Sequence, residues 1–515
     1  MNKILIIVLL STCTKISISA QSTPPAEVQK PNIVFILSDD HRYDFMGFTG
    51  KVPGLETPNM DRMGTAGVHC ENAFVNTALC SPSRASILTG QYSHVHEVVD
   101  NDAAAPDDLV FFPSYLQEAG YETAFIGKWH MGHYKADPRP GFDRWVSFEG
   151  QGVYYNPKLN VDGEVVRHDN DAYITDVLTT YATDWIDEQA DSDSPFFLYL
   201  SHKAVHAEFM PARRHEGRYA DVEISYPPTM FPPDVDLQNY RSVTAPQPSL
   251  REMRNAISIN YRYAAVPDWV KRQRNSWHGV DYMYNGQMTF DEFYRNYLET
   301  LLGIDESIGT ILTKLEEEGL LENTVVIYMG DNGFSFGEHG LIDKRHAYEE
   351  SMRVPLLVYA PGMLKTHQLQ DMVTNVDIGP TCLALAGLPT PEQMNGQSFW
   401  PLLEGEELED WRSHFFYEYY WERPFPQTPT VHAIRSDRYK FIRYHGIWDL
   451  NEFYDLEADP YEAINLIDHS DHQETIKDMN EKLFHWLKAT QGLKIPLKPT
   501  LRVRGGQDWR YGHTY

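Results

Sequence analysis

The chain has 515 residues, of which 42% are hydrophobic, 23% charged and 13% aromatic, and this is ordinary for a globular protein of more than one domain. The formal net charge of −29 argues against a general nucleic-acid-binding protein, because phosphate backbones attract basic surfaces. This field would also repel an anionic small molecule. An anionic substrate therefore requires a local basic pocket.

The first twenty residues are typical of a signal peptide. Lys3 is followed by an apolar run over 4–10 and then by small and polar residues up to Ala20. The run is too short for a bilayer, which takes about 20 residues, and no later segment is long and apolar enough. We expect cleavage after Ala20, a linker over 21–30, and an exported protein, periplasmic or secreted, with no stable membrane span. Lipoprotein anchoring at Cys13 is the alternative.

Four cysteines do not make a disulfide framework once the first leaves with the signal. Cys70 and Cys382 stand in apolar surroundings and are expected to be buried, and the sequence leaves open whether they pair. Cys80 differs, because it lies among serine, proline and arginine residues. Its position calls for a chemical explanation.

Strands alternate with helices over residues 31–404, which predicts an α/β catalytic domain with a large mixed, mostly parallel sheet between helices. Apolar runs ending in polar residues indicate buried strands, and spacing of three and four residues indicates a helix. Ligands bind beyond the carboxyl ends of the strands in such folds. The predicted strands lie at 31–40, 122–126, 196–201, 324–330 and 354–359, and the clearest helix runs from Phe293 to Leu315.

Two regions depart from this alternation. Residues 207–285 are rich in Pro, Arg, Tyr and Trp, and we interpret them as an irregular, substrate-facing insertion. Residues 405–515 predict a smaller C-terminal α+β unit with a small antiparallel sheet and one helix. Its expected strands lie at 414–421, 432–434 and 439–444, and its helix at 474–487.

The strongest motif is Cys-Ser-Pro-Ser-Arg at 80–84, continued to Thr89-Gly90. Here the chain resembles the type I sulfatases of the alkaline phosphatase superfamily, in which a maturation enzyme oxidises this cysteine to formylglycine. The resemblance extends from about Pro31 to Leu466. It implies a hydrated aldehyde at position 80 that attacks sulfur and can release sulfate by re-forming its carbonyl. Arg84 is then expected to hold this group and neutralise nearby charge.

A set of oxygen ligands follows two of the predicted strands. Asp39 and Asp40 follow the first strand, and Asp331 and Asn332 follow the strand at 324–330. Three carboxylates and one amide carbonyl suit calcium or magnesium, and the absence of a Cys or dense His cluster argues against zinc. The resemblance implies that these four residues and the modified Cys80 bind one Ca²⁺ ion.

Further site residues come from the resemblance. Gly-Lys-Trp-His at 127–130 matches the family pattern, so Lys128 is expected to bind sulfate and His130 to accept a proton from the hydrated aldehyde. His202 is expected to contact sulfate and protonate the leaving oxygen. The family's usual proline is missing before His206, which leaves this histidine either a substrate contact or a loop-shaping residue. Lys344 is expected to bind a sulfate oxygen.

The expected substrate is a sulfated poly- or oligosaccharide, with an algal polysaccharide such as ulvan favoured. Arg and His side chains can pair with sulfate or uronate groups, and Trp can stack on a sugar face. His94, His96 and His133 also lie near the predicted site in sequence. The candidate substrate contacts, each with the alternative of an ordinary surface role, are His206, Arg213, Arg214, His215, Trp277, His278, Arg345 and His346.

Two other functions compete with a sulfatase. The first is a phosphonate or phosphate monoester hydrolase of the same superfamily, which can share the cysteine motif but tends to carry more metal-binding His and Asp residues. The second is a catalytically inactive carbohydrate-binding protein. The intact motif at Cys80 and the full set of polar residues favour the sulfatase.

Overall fold

The structure of the chain is a computed structural model, and it describes residues 30–132, 136–231, 265–274, 276–281, 283, 288–445 and 450–496. The expected signal peptide, Cys13, most of the linker, His133 and part of the insertion lie outside these residues. Among the helices within them, none is both long and apolar enough to cross a membrane.

The described residues form a ten-stranded mixed sheet that confirms the predicted fold class. Its strand order is β13-β2-β12-β9-β1-β8-β4-β5-β6-β7, and the five strands from β9 to β5 in this order run parallel. Two short pairs, β10 with β11 and β3 with β14, lie beside it. The strands are β1 Asn32–Ser38, β2 Val68–Cys70, β3 Ala73–Phe74, β4 Glu122–Lys128, β5 Arg144–Phe148, β6 Lys158–Val161, β7 Glu164–Arg167, β8 Phe196–Ser201, β9 Thr324–Gly330, β10 Ser335–Phe336, β11 Ile342–Asp343, β12 Leu356–Tyr359, β13 His367–Leu369 and β14 Val373–Thr374.

Helices cover both faces of this sheet, and two apolar cores result because the side chains of each strand alternate between faces. Ile33, Phe35 and Leu37 of β1 pack into one core, and Val34 and Ile36 pack into the other. The helices of this part are α1 Pro58–Ala66, α2 Cys80–Thr89, α3 Ser93–His96, α4 Pro113–Glu118, α5 Ile174–Gln189, α6 Asp268–Gln273, α7 Phe290–Glu317, α8 Glu349–Met352, α9 Ile378–Leu385 and α10 Trp400–Leu403.

One expected strand differs in extent and direction. The strand predicted at 354–359 begins at Leu356 and runs antiparallel to both β9 and β2. Pro355 precedes it, and proline lacks the N–H that a ladder needs. The strand is thus one of the antiparallel members of the mixed sheet.

A second, four-stranded antiparallel sheet follows residue 405, in the order β15-β16-β17-β18. One amphipathic helix, α11, packs on it through Met479, Leu483, Trp486 and Leu487. The three predicted strands and the helix of this unit are present within a few residues, and the fourth strand, β18, is not among those predicted. In chain order, the elements of the unit are β15 Phe415–Tyr419, β16 Thr430–Arg435, β17 Tyr439–His445, β18 Glu452–Asp455 and α11 Gln473–Ala489.

Candidate active site

Four oxygen-bearing side chains meet where β1 and β9 end side by side. Parallel pairing aligns Ser38 with Gly330, so the residues that follow each strand become neighbours. The amide of Asp331 donates to the carbonyl of Ser38 at 2.9 Å, which ties the two strand ends together. Asp39, Asp40, Asp331 and Asn332 are all fully buried. The structure therefore brings the predicted ligand set together.

The carboxylates of this cluster are close enough to share one cation. Asp39, Asp40 and Asp331 each offer an oxygen within 4.8 Å of the others. Asn332 donates its Nδ2 to Oδ1 of Asp40 at 2.7 Å. Oδ2 of Asp40 and Oδ1 of Asn332 are buried and have no hydrogen-bond partner among the described residues. Such orphaned oxygens are expected where a cation binds.

The pKa values of two of these carboxylates also point to a bound cation. Burial, and then the neighbouring Asp39 and Asp331 charges, raise the pKa of Asp40 to about 7 against the opposing effect of Lys344. Burial also raises the pKa of Asp331. Buried carboxylates at close range resist full ionisation unless a cation joins them. The hard oxygen donors and their electrostatics fit a divalent cation such as Ca²⁺.

Cys80 is the first residue of α2, and its Sγ lies 3.5 Å from Oδ1 of Asp39. Arg84 lies one turn further along the same helix. Its guanidinium contacts Oδ2 of Asp331 at 2.7 Å and Oδ2 of Asp39 at 3.3 Å, and also donates to Ser201 at 2.6 Å. Helical spacing of four residues thus puts position 80 and the arginine on one face, over the carboxylates.

Lys128 reaches the same carboxylates from the end of β4. Its ammonium donates to Asp39 and to Gln151. Gly127 precedes it at φ 127°, where an added Cβ would lie 1.7 Å from the carbonyl oxygen of Ser201. Only glycine fits this approach of β4 to the end of β8. Burial alone would raise the pKa of Asp39, but Lys128, His206 and Arg84 together hold it well below its usual value.

His130 follows in a left-handed backbone conformation, with φ 60°. Oγ of Ser81 donates to the carbonyl of His130 at 2.7 Å and lies 3.2 Å from its Nδ1. Burial, and then Lys128, hold the pKa of His130 well below its usual value, which favours a neutral ring. A neutral imidazole that contacts Ser81, the residue after position 80, can accept a proton.

The two histidines after β8 lie in different places. His202 is fully buried with its Nε2 3.1 Å from Oγ of Ser307 on α7, and burial lowers its pKa to about 3. His206 instead groups with Asp39 and Cys80, with one atom of each within 4.8 Å. His206 also lines the pocket above the carboxylates. Of these two histidines, His206 therefore belongs to the described pocket lining and His202 does not.

Lys344 and Arg345 come from the segment after β11. The ammonium of Lys344 donates to Oδ1 of Asp40. Arg345 has φ 89° and contacts Asp343 and, at 3.0 Å, Glu422, while its guanidinium lies 3.5 Å from the ring centre of Phe425. Glu422 and Phe425 belong to the loop between β15 and β16. The C-terminal unit therefore helps to fix one wall of the site.

A pocket of about 300 Å³ opens above these groups. Of the candidate substrate contacts, His206, Trp277, His278 and Arg345 line it. Asp343 lies 3.0 Å from His278 and orients it. The described lining is Asp40, Asn101, Gly152, Val153, Tyr154, Lys203, His206, Ala207, Glu208, Met210, Trp277, His278, Asp343, Lys344 and Arg345.

The other candidate substrate contacts interact with residues outside the pocket. Arg214 pairs with Asp176 of α5 and Glu306 of α7, and His215 lies 3.1 Å from Glu306. Three more lie outside the described pocket lining as well. Arg213 pairs with Glu216, His346 lies 3.2 Å from Oγ of Ser335, and His96 lies 3.0 Å from Oγ of Ser86. None of these contacts supports a role in binding substrate.

Lys203 and Tyr154 are pocket residues that the sequence did not single out. Lys203 stands between the two histidines of the loop after β8, so a motif search for histidines passes over it. Tyr154 follows the glycines at 150 and 152 in an irregular segment. Its hydroxyl donates to the carbonyl of His206 at 2.6 Å. Only the packing of two distant loops identifies these residues as neighbours.

Cys70, Cys80 and Cys382 are all free and buried. Cys70 and Cys382 therefore do not form a disulfide bond in this structure. Burial raises the pKa of the Cys80 thiol to about 12, with a further contribution from Asp39. Since the thiolate is the reactive form, the unmodified Cys80 is a weak nucleophile at neutral pH.

A buried carboxylate cluster beneath a pocket lined by basic side chains suits an anionic ligand, and sequence comparison gives the family. The sulfatase family profile matches residues 31–388, and a profile described as the C-terminal part of N-sulphoglucosamine sulphohydrolase matches residues 337–489. The first covers well over half of the chain. The chain therefore belongs to the sulfatase family and is a sulfuric ester hydrolase.

Three relatives place it within the family. It is 33% identical to an N-acetylglucosamine-6-O-sulfatase of Bacteroides thetaiotaomicron, over 96% of this chain and 93% of the relative. It is 27% identical to an ulvan-active sulfatase of Formosa agariphila, over 92% of this chain and 84% of the relative. A solved structure in complex with its substrate, D-glucosamine-2-N,6-O-disulfate, matches with TM-score 0.75 and 32% identity, covering 91% of this chain and all of the other.

Proposed function

We propose that this sulfatase hydrolyses the 6-O-sulfate ester of glucosamine-type residues in a sulfated carbohydrate. The observation that carries the proposal is the convergence of Arg84, Lys128 and Lys344 on three buried carboxylates at the base of a pocket. This local cationic group answers the repulsion expected from the net charge of −29. The choice of sugar is supported by the relative that acts on N-acetylglucosamine 6-O-sulfate over nearly the same length.

The nucleophile is proposed to come from Cys80 by oxidation to formylglycine, carried out by a maturation enzyme. A formylglycine supplies an attacking oxygen and a leaving route for sulfate that a thiol lacks. The thiol itself is buried and protonated, which supports a need for conversion. Ser81, the next residue in the chain, contacts His130 through both the ring Nδ1 and the backbone carbonyl.

Five of the chain's own side chains are proposed to carry out the remaining steps. Arg84 and Lys128, which lie next to Asp39, stabilise the negative charge of the sulfate group. Lys344, which lies next to Asp40, has the same role. His130, neutral in the free enzyme, accepts the proton from position 80. His206 takes the role expected of His202 and donates a proton to the leaving sugar oxygen, because it is the one of these two histidines that lines the pocket. Burial, and then Lys128, hold the pKa of His206 well below its usual value in the free enzyme, so the charge of the bound anionic substrate must raise it before the ring can carry this proton.

Calcium is the proposed metal, held by Asp39, Asp40, Asp331, Asn332 and the residue at position 80. The two orphaned oxygens of Asp40 and Asn332 supply the ligand atoms that hydrogen bonds leave unused. The ion would supply positive charge that favours ionisation at position 80. Oxygen-only donors agree with calcium or magnesium, and the flexible mix of carboxylates with an amide favours calcium.

Ulvan oligosaccharides are a second candidate substrate, supported by the ulvan-active relative that matches over most of the chain. The sequence pattern at the N-terminus supports export to the periplasm or the exterior for either substrate. Access to large polysaccharides requires such a location. The higher identity of the N-acetylglucosamine-6-O-sulfatase decides our preference.

Sulfate release from a panel of substrates tests the proposal. N-acetylglucosamine 6-O-sulfate, ulvan oligosaccharides, 4-nitrophenyl sulfate and an aryl phosphonate ester would be compared with the wild type and C80A. We expect fastest release from the sugar 6-O-sulfate and none with C80A, although C80A folds and still binds the sugar. Preferred turnover of ulvan or phosphonate would overturn the proposed substrate. Mass spectrometry of the Cys80 peptide from active enzyme must show the aldehyde, and an unmodified thiol there would refute the nucleophile.

A further inference from the structure

Lys203 is a buried cation in the pocket to which the proposed chemistry assigns no role. Its side chain lines the pocket, only 4% of the residue is exposed, and it lies three residues before His206. Its ammonium sits 4.6 Å from the ring centre of Tyr154. Hydrogen bonds pin the loop that carries it, from the amide of Asp39 to Ala204 and from the amide of Val205 to Asp39. The backbone hydrogen bonds of this loop therefore fix the position of Lys203.

The other basic groups of the pocket are balanced by carboxylates. Lys344 contacts Asp40, and Arg345 contacts Asp343 and Glu422. Deeper down, Arg84 and Lys128 contact Asp39. Within the part of the chain that the structure describes, the ammonium of Lys203 forms no salt bridge and donates no hydrogen bond. A buried ammonium against an aromatic face gains from cation–π attraction but still lacks a counter-charge.

The electrostatics agree with a missing counter-charge. Burial, and secondarily the charge of Lys128, lower the pKa of Lys203 to about 7. Asp39 and Asp40 act in the opposite direction but are already engaged with other cations. An anion placed beside Lys203 would stabilise the charged form and gain a charge-assisted hydrogen bond in a water-poor site.

We propose that Lys203 binds a second anionic substituent of the substrate, a sulfate or carboxylate that is not cleaved, and so sets specificity for multiply charged sugars. The cleaved sulfate belongs with Arg84, Lys128 and Lys344, which surround the carboxylates. Lys203 instead sits against Tyr154, whose neighbours Gly152 and Val153 form the adjacent pocket wall. This inference rests on the proposed function, because it assigns a further group of the same substrate.

Two substrates that differ only at the nitrogen provide the test. D-glucosamine-2-N,6-O-disulfate carries the second anion, and N-acetylglucosamine 6-O-sulfate does not. We expect the wild type to prefer the disulfate in kcat/KM, and K203M to lower this preference at least tenfold, chiefly through KM. K203R should retain part of the preference because its charge remains. K482M, which removes an exposed lysine of α11 paired with Asp478, should keep the wild-type preference.

Each result bears on the inference. An equal loss on both substrates would mean that Lys203 contacts the cleaved sulfate or only supports the loop, and would overturn it, as would an unchanged preference. If the wild type hydrolyses neither glucosamine substrate but does hydrolyse aryl sulfates, the proposed sugar is wrong. The inference is then decided with the three isomeric carboxyphenyl sulfates against phenyl sulfate, with the same variants. A preference for none of the carboxylated esters, or one that K203M leaves intact, would overturn it.

Discussion

Arg84 donates a hydrogen bond from Nε to one oxygen of Asp331 at 2.9 Å, its Nη2 forms an ion pair with the same oxygen at 2.7 Å, and neither side chain is more than 1% exposed. The same guanidinium also donates to the carbonyl of Lys128 and to Ser201. It therefore ties α2 to the ends of β4, β8 and β9. A single planar group thus fixes position 80 relative to the carboxylates.

Replacing this group by lysine tests its geometry at constant charge. A lysine offers a single ammonium in place of the guanidinium fork, so R84K should leave part of this network unpaired. We expect kcat/KM for 4-nitrophenyl sulfate to fall at least 100-fold and the free energy of unfolding to fall by about 3 kcal/mol. R144K is the matched control, because Arg144 forms a partly exposed pair with Asp162. Near-normal turnover by R84K would contradict the role given to the guanidinium.

Replacing His206 by glutamine is expected to lower kcat strongly, whereas the same replacement of His202 is not. H206Q should lower kcat for a sugar 6-O-sulfate by about 10²–10⁴-fold, because an alkoxide leaves poorly without a proton. The loss on 4-nitrophenyl sulfate should be smaller, since nitrophenolate needs no proton to leave. H202Q should keep kcat within about threefold and lower the free energy of unfolding by about 1–3 kcal/mol through its lost bond to Ser307. Kinetics on both esters, with thermal unfolding, would check this, and a large kcat loss in H202Q would restore the sequence-based assignment.

Removal of the metal should be visible without any substrate. A chelator should lower the melting temperature, because an ion that binds only the folded state stabilises it by about 2.7 kcal/mol at 100 times its Kd. Ca²⁺ should restore the melting temperature more fully than Mg²⁺, which demands a stricter octahedral site. D40N should melt at nearly the same temperature with and without chelator. An unchanged melting temperature of the wild type in chelator would contradict the cation site.

The local parts of this site could be predicted from sequence because they follow strand ends. The run ending at Ser38 and the run ending at Gly330 are continuously apolar, so their ends, and the Asp pairs after them, are visible in the sequence. The motif at Cys80 does not follow a strand, but it is also local in sequence, and Pro82 in its first turn is compatible with the start of a helix. A buried parallel strand needs no partner from elsewhere to be recognised.

Contacts between distant segments could not be predicted. His202 and His206 lie in an irregular loop, where the alternation of strand side chains no longer tells which one faces the pocket. The sequence cannot show that Asp176 and Glu306, from two separate helices, pair with Arg214 and neutralise it. Lys203 is a candidate contact because its ammonium forms no salt bridge within the described residues, although Asp39 and Asp40 raise its pKa. Each of these outcomes depends on tertiary packing.

His94 is another residue whose contacts depend on tertiary packing, because it pairs with a carboxylate of the C-terminal sheet. Its Nδ1 lies 2.6 Å from Oε2 of Glu418 on β15, and both side chains are buried. Burial would lower the pKa of His94, but the charge and hydrogen bond of Glu418 outweigh it and raise the pKa above its usual value. Burial would raise the pKa of Glu418, yet His94 lowers it. The pair links α3 to the C-terminal unit.

The sign of the resulting pH dependence follows from these two shifts. The contribution of His94 is complete below its unfolded pKa near 6.5 and is lost as pH rises through the raised value in the folded state. The contribution of Glu418 is complete above about 4.5 and is lost as pH falls through its lowered value. Between about pH 4.5 and 6.5 both groups are charged in the folded protein. The pair should stabilise the fold most in this window.

A double-mutant cycle with H94Q, E418Q and the combined variant isolates this pair from other titrating groups. We expect a coupling free energy of about 3 kcal/mol near pH 5.5, from urea unfolding, that declines steadily toward pH 9. The cycle of Lys482 with Asp478 on α11 is the control, and it should give under about 0.5 kcal/mol at every pH because this pair is exposed. A His94–Glu418 coupling that stays constant, or grows, from pH 6 to 9 would mean that the histidine is neutral in the folded protein. In that event the contact stabilises the junction of the two sheets as an uncharged hydrogen bond, and the proposed ion pair is wrong.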